Sequence, residues 1–321
     1  MGLILKHFKG KMNYGDSFKD ILKLWFPELI AGAIFISLSP LIDAYLVAGL
    51  KSVTTYGALG AANHFIHMLL KFAEAIPVAA MAVIGRHNGA EEFEKCGKDL
   101  GDAFWATTLL GIVQFVLIFS FAYTIYRWLG VTEDMVPLGV PFLRMRSFGL
   151  LLTFISLGFL AFMRAIKNTK VPMIISVIGI SVYIVFDLLL VPGKFGFPQL
   201  GMMGCAISSI IQYVIVIILA CGYILLKKDY KKYFGGLFIK YFSFRKIIYL
   251  LNLSWPIMID KSSLTLSYIW LNKMVAKMGK MAICSMDVVK NLERFALLPA
   301  VAFAVIIVFL VSNRLGAKDA E

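Results

Sequence analysis

Charge and cysteine are what this 321-residue chain has least of. Only 16% of its residues are Asp, Glu, Lys or Arg, where a soluble domain carries about a quarter. With 60% hydrophobic residues and a mean hydropathy of +0.82, an ordinary water-soluble globule is excluded and a bilayer becomes the natural solvent. The 4 cysteines, Cys96, Cys205, Cys221 and Cys284, form no Cys-x-x-Cys pair. That spacing points to neither a zinc site nor a disulfide framework, and leaves them as small packing residues. No His-Glu-x-x-His, Gly-x-Ser-x-Gly or paired-Asp motif occurs, so an intramembrane enzyme built on His64 or His67 has no catalytic pattern behind it. The basic segment Met1 to Lys23 lacks the apolar core and small-residue cleavage site of a removable leader.

What remains is a series of apolar runs, each close to the roughly 20 residues that a spanning helix needs. Eight spans are expected: Trp25 to Leu50, opened by Pro27; Tyr56 to Gly85; Ala103 to Tyr126; Leu138 to Met163; Val171 to Val191; Gly201 to Leu226; Ile247 to Val275; and Met281 to Asn313. The fold class is therefore all-α and polytopic. The second run carries Asn63, His64, His67, Lys71 and Glu74, so it must face other helices rather than lipid.

The net charge of +13 does not mark a nucleic-acid face, because the basic residues sit in short loops. Taking alternate loops, twenty Lys and Arg fall on one side and six on the other. Cytoplasmic loops retain positive charge, which puts the N-terminus and the connector Lys227 to Lys246 in the cytoplasm of an inner-membrane protein. The expected organisation is a basic segment 1–24, a six-helix lobe 25–226, a connector 227–246, and the first two helices of a second lobe, 247–321.

That second lobe repeats the first. At offsets of 223 to 229, Leu24-Trp25-Phe26-Pro27 meets Leu253-Ser254-Trp255-Pro256, Asp43 meets Asn272, and Lys71-Phe72-Ala73 meets Arg294-Phe295-Ala296, with Pro77 falling near Pro299. Both copies end in a Gly-Ala turn, at Gly89-Ala90 and at Gly316-Ala317. Six spans separate the copies, so they run in parallel, as two lobes about an axis along the membrane normal would.

These features resemble the multidrug and toxic compound extrusion (MATE) family over nearly the whole chain: Pro27, the Asp43-Ala44-Tyr45 segment, Gly89-Ala90, the Arg164 to Lys170 loop, Gly201 to Ser209, and Asn291-Leu292-Glu293, in that order. The resemblance implies two six-helix lobes, of which this sequence carries one and a third. It also implies a coupling acid in the first and fifth spans, where Asp43 and Asp187 stand. One turn before Asp187 the family often has an amide, whereas this chain has Tyr183; Ser209 stands where a threonine is common.

The residues themselves point the same way. A carboxylate at the bilayer midplane costs at least about 2.5 kcal/mol; Asp187 is the only charge in its apolar run, and Asp43 shares its run only with Glu28 near the start. Such groups load and release a proton or hold a hard cation, so the coupling-cation set is Asp43, Asp187, Tyr183 and Ser209, with Ser208 a weaker candidate. The substrate-cleft set is Glu74, Asp260, Asp287, Asn291 and Glu293, assisted by aromatic faces such as Phe35, Tyr45, Tyr268 and Trp270. Lys71 and Glu74, three apart, are expected to pair. No cofactor and no structural metal are expected beyond H+ or Na+ as coupling ion. The expected function is an antiporter, monomeric, that exports a small organic cation by alternating access. Two alternatives share the architecture: a flippase for a lipid-linked oligosaccharide or polysaccharide precursor, which needs Arg144, Arg146, Lys261, Lys290 and Arg294 to converge, and an inactive fragment.

Overall fold

A computed structural model of the chain describes residues 18–33, 39–129, 133–233, 242–276 and 280–317. Among these residues all regular structure is helical. The elements are α1 (Phe18–Ala33), α2 (Ser39–Ala48), α3 (Val53–Gly89), α4 (Phe93–Trp128), α5 (Val136–Ala165), α6 (Lys170–Leu190), α7 (Met202–Leu226), a 3-10 turn η1 (Lys228–Tyr233), α8 (Phe244–Ala276) and α9 (Lys280–Gly316). Six of them contain stretches long and apolar enough to cross a membrane: Thr54–Gly89, Phe93–Trp128, Val136–Ala165, Lys170–Leu190, Met202–Leu226 and Ala296–Gly316.

The first and seventh expected spans differ from that description. The first is divided into α1 and α2, with residues 34–38 outside the described residues. Pro27 does not open a helix: α1 begins at Phe18 and Pro27 lies in its interior, where it removes one intrahelical bond without ending the helix. The seventh, α8, has 33 residues, ample length for a span, but Asp260-Lys261 and Asn272-Lys273 make it less apolar than the others. It packs on α3, α4 and α9. The second span also runs further than its apolar run. Gly85 stays helical, and the turn begins only at Ala90, after Gly89.

The centre of the bundle is α5, which packs against α3, α4, α6, α7 and α9. Its sequence permits this, because Gly139, Gly149, Gly158, Ser147, Thr153 and Ser156 are all buried along it, and small residues let helix backbones approach closely in a membrane. Around it, Phe142, Leu143, Phe154, Ala58, Leu59 and Ala206 form one buried cluster, and Phe159, Phe162, Ile76, Ile84 and Leu100 belong to another. The buried carboxylate of Glu28 on α1 accepts from Arg164 Nε at the end of α5 at 2.8 Å.

The contacts of the repeat are reciprocal. The first long helix of each copy packs on the second helix of the other, α1 on α9 and α8 on α3, while the two second helices, α3 and α9, each 37 residues long, pack on one another. At their ends, a Cβ at Gly89 would overlap the backbone of Asn313, and a Cβ at Gly316 would overlap the backbone of Arg86. One offset, 227, relates Gly89 to Gly316 and Arg86 to Asn313. The two Gly-Ala turns are therefore matching halves of one twofold contact, which is why both copies need glycine there.

Polar groups complete that end of the bundle. Asn88 Nδ2 donates to Asn313 Oδ1 at 2.7 Å, Asn313 Nδ2 donates to the Ala165 carbonyl at 2.8 Å, and the Tyr233 hydroxyl of η1 donates to Asn88 Oδ1 at 2.8 Å. Lys246, at the start of α8, reaches Asp99 at 3.1 Å and Asp102 at 3.4 Å on α4. The Ser243 N–H caps Asp102 at 3.1 Å, and His87 pairs with Asp99. Asn168 Nδ2 donates to Tyr230 on η1 at 2.8 Å, and burial pushes the Tyr230 phenol up to about 12.

Candidate functional site

Four helices bring the first site together. Asp43 comes from α2, Tyr183 and Asp187 from α6, Cys205 from α7 and Arg146 from α5. The buried residues of α6, among them Pro172, Ser176, Gly179, Ile180, Tyr183, Asp187 and Leu190, follow a helical period. Four-residue spacing therefore puts Tyr183 and Asp187 one above the other on the inward face. α2 packs on α6 and α7, which presents Asp43 to that face.

A carboxylate oxygen of Asp43, one of Asp187 and the Sγ of Cys205 all lie within 4.8 Å of one another. The relative exposures are 3%, 0% and 0% respectively. The Tyr183 hydroxyl donates to Asp43 Oδ1. Neither oxygen of Asp187 makes a hydrogen bond among the described residues, although both are buried. Two carboxylates this close and this dry repel, and an ionised one with no partner is the most expensive group a protein interior can hold. A cation or a proton between them relieves both problems.

The site contains two residues that the sequence assigned to other parts, Cys205 to packing and Arg146 to the basic set of the flippase alternative. Cys205, read as packing, contributes a sulfur to the cluster. Arg146, two residues from Arg144, donates Nη1–H to the Cys205 carbonyl at 3.3 Å, and its guanidinium acts electrostatically on Asp43, Tyr183 and Tyr213. A two-residue step turns a helix by about 200°. Arg144 accordingly faces the other way, donating to the Phe119 carbonyl at 3.3 Å and lying over the Phe119 ring. Ser209 is buried on α7, one turn beyond Cys205, and its hydroxyl donates to the Ala206 carbonyl at 2.7 Å. The neighbouring Ser208 has a buried Oγ that makes no hydrogen bond among the described residues.

The cleft set falls elsewhere. Glu74 on α3 receives two ammonium groups, Lys71 at 3.1 Å and Lys261 from α8 at 2.7 Å, so the expected Lys71–Glu74 pair forms and is extended across to the repeat. Asp260 is exposed, a step away from Lys261 on α8, and Lys261 rather than Asp260 reaches α3. Glu293 is partly buried on α9, Tyr45 is exposed on α2 and Trp270 is exposed on α8. Asp287, Asn291, Lys290, Arg294, Tyr268, His64 and His67 lie on helices with their side chains outside the described residues, and Phe35 lies outside them altogether. A cavity of about 930 Å³ lies at the end of the bundle near the connector, lined by residues including Arg86, His87, Asp99, Asp102 and Lys246. It does not include Asp43 or Asp187, which are buried.

Comparison with known proteins gives a consistent picture. The family model described as MatE matches residues 29–189. The chain is 23% identical over 300 residues to "Probable multidrug resistance protein YoeA" of Bacillus subtilis, an alignment covering 93% of this chain and 65% of that protein. It is 27% identical over 299 residues to "Probable multidrug resistance protein NorM" of Aromatoleum aromaticum, covering 91% of this chain and 63% of that one. The chain thus spans just under two thirds of the length of these relatives. In fold it is similar to a mutant of the Vibrio cholerae MATE transporter VcmN, with a TM-score of 0.84 at 19% identity, covering 94% of this chain and 67% of that one. A multidrug resistance MATE family transporter in an outward-facing conformation gives a TM-score of 0.80 at 18% identity, covering 93% of this chain and 65% of that one.

Proposed function

The chain belongs to the MatE family of multidrug transporters, multi-pass membrane proteins rather than enzymes, and on that premise we propose that it works as a secondary antiporter, exchanging H+ or Na+ for a small organic cation. The observation that carries this reading is Asp187, buried among apolar helices with both oxygens unpaired beside a second carboxylate. A group kept there at such a cost needs a travelling positive charge to complete it. Asp43 and Asp187 are the coupling acids, Tyr183 orients Asp43, and Ser208 and Cys205 line the pocket. Ser209 supports the same wall from within its own helix.

The two-lobed arrangement, 25–226 and 247–321 joined by 227–246, supplies the moving parts. Loading the pocket biases one arrangement of the lobes over the other, and about 5.5 kcal/mol of differential affinity reverses a hundredfold preference. For the organic cation the proposed set remains Glu74, Asp260, Asp287, Asn291 and Glu293, of which Glu74 already receives Lys71 and Lys261. The basic-loop count puts the connector end in the cytoplasm of the inner membrane, and the working unit is a monomer. The flippase reading has less support, because Arg146 donates to the Cys205 carbonyl beside the acidic pair, Arg144 turns to Phe119 and Lys261 is taken by Glu74; these three form no common basic cavity. The test is ethidium efflux from cells or vesicles carrying the chain, with the proton and sodium gradients discharged separately. Efflux that stops with one gradient supports antiport, and efflux indifferent to both rules it out.

A further inference from the structure

The pocket proposed above holds a charge that a simple two-acid site does not need. Arg146 remains protonated at every accessible pH, and its guanidinium is tied to the Cys205 carbonyl at 3.3 Å. Cys205 is also the residue whose sulfur lies within 4.8 Å of both carboxylates. The guanidinium therefore lies against the backbone of a residue whose side chain joins the acids, close enough to attract Asp43. It is carried by α5, the most central helix, which packs on both α6 and α7, so it is fixed rather than free to swing away.

Charge counting then limits the occupant. With both acids ionised, Asp43 and Asp187 contribute two negative charges and Arg146 one positive, leaving a single negative charge that resides on the unpaired Asp187. In a dry interior the favoured occupant is the one that brings the total to zero. A monovalent ion does so, whereas a divalent ion overshoots by one charge in the neighbourhood of a guanidinium. Without the arginine the same pocket offers two carboxylates and a sulfur, a donor set that suits a divalent transition metal.

We infer that Arg146 is the specificity-determining residue of this pocket: a built-in counter-charge that cancels one acid and restricts the site to one monovalent cation at a time. The inference rests on the antiporter reading of Asp43 and Asp187.

The test uses the full chain in lipid nanodiscs, with Mn2+ as the probe and its free concentration followed by electron paramagnetic resonance. The wild-type chain leaves Mn2+ free. Arg146→Gln gains one bound Mn2+ per chain, loses it again when combined with Asp187→Asn, and Arg146→Lys behaves as the wild type. Ser208→Asp, which adds a negative charge with the arginine in place, gains Mn2+ as well and decides the matter if Arg146→Gln does not fold. Mn2+ binding by the wild-type pocket, or none by folded Arg146→Gln or Ser208→Asp, overturns the assignment. The two levels separate cleanly: if only the role of Arg146 is wrong, Asp187→Asn still abolishes gradient-driven efflux, whereas if the pocket is no cation site at all, that variant exports normally.

Discussion

The hydroxyl of Tyr183 donates to Asp43 from a different helix, joining α6 to α2 where the buried acids Asp43 and Asp187 meet. The tyrosine thus does for Asp43 what an amide one turn before Asp187 would do, by supplying a donor that holds the carboxylate in a single orientation. Removing it with Tyr183→Phe keeps the ring and loses a hydrogen bond to an ionised partner, a loss of about 1.5–3 kcal/mol. Gradient-driven efflux is expected to fall at least about tenfold, with a fall of several degrees in the thermal unfolding midpoint in detergent. Unchanged transport by Tyr183→Phe would mean that Asp43 needs no orienting partner.

The paired glycines give a stability prediction with its own control. Gly89→Ala and Gly316→Ala each force two helix ends apart, which costs about 1–3 kcal/mol by overpacking. The sites touch one another's equivalents, so the double variant loses less than the sum of the singles. Gly60→Ala, where an added Cβ meets nothing within 4 Å, gains about 0.5–1 kcal/mol through helix propensity. Thermal unfolding of the four proteins checks the order, and additivity of the glycine pair would refute the twofold contact.

The buried pair of Glu28 and Arg164 ties α1 to the end of α5, with side-chain exposures of only 5% and 16%. Glu28→Gln leaves the guanidinium without its counter-charge, and a loss of about 3–5 kcal/mol follows. Adding Arg164→Met recovers part of it, because both charges are then gone. Thermal unfolding of the single and double variants measures the difference; a double variant no more stable than the single one would show that the pair is not where the stability resides.

Much of the fold was legible because apolar runs of spanning length admit few other structures. Helix ends were less so. α4 starts at Phe93, ten residues ahead of the apolar run at Ala103, since Glu94 to Asp102 continue the helix without being hydrophobic, and hydropathy registers solvent preference rather than hydrogen bonding. The acids of the site stood out because a carboxylate in an apolar run is costly wherever it lies. Arg146 and Cys205 did not, because their part depends on which face of α5 and α7 meets Asp43. The repeated Gly-Ala turn was visible, but its reason is the mutual approach of Gly89 to Asn313 and Gly316 to Arg86, a tertiary fact.

Lys246 makes a further prediction at the connector end, where it bridges Asp99 and Asp102. Its side chain is 47% exposed, so solvent screening limits the interaction to about 1 kcal/mol. Lys246→Ala is expected to loosen the start of α8 from α4 by that amount, seen as roughly fivefold faster alkylation of the buried Cys96 in a variant lacking the other cysteines. An unchanged alkylation rate would assign the ion pair to local solvation alone.

Most direct of all is ethidium efflux by Asp187→Asn under an imposed gradient of the coupling ion, compared with wild type at equal membrane expression. Asparagine preserves size and removes the charge that needs a partner. The variant is expected to bind the dye but to lose its response to the gradient. Wild-type efflux by Asp187→Asn would contradict the claim that this buried acid carries the coupling cation.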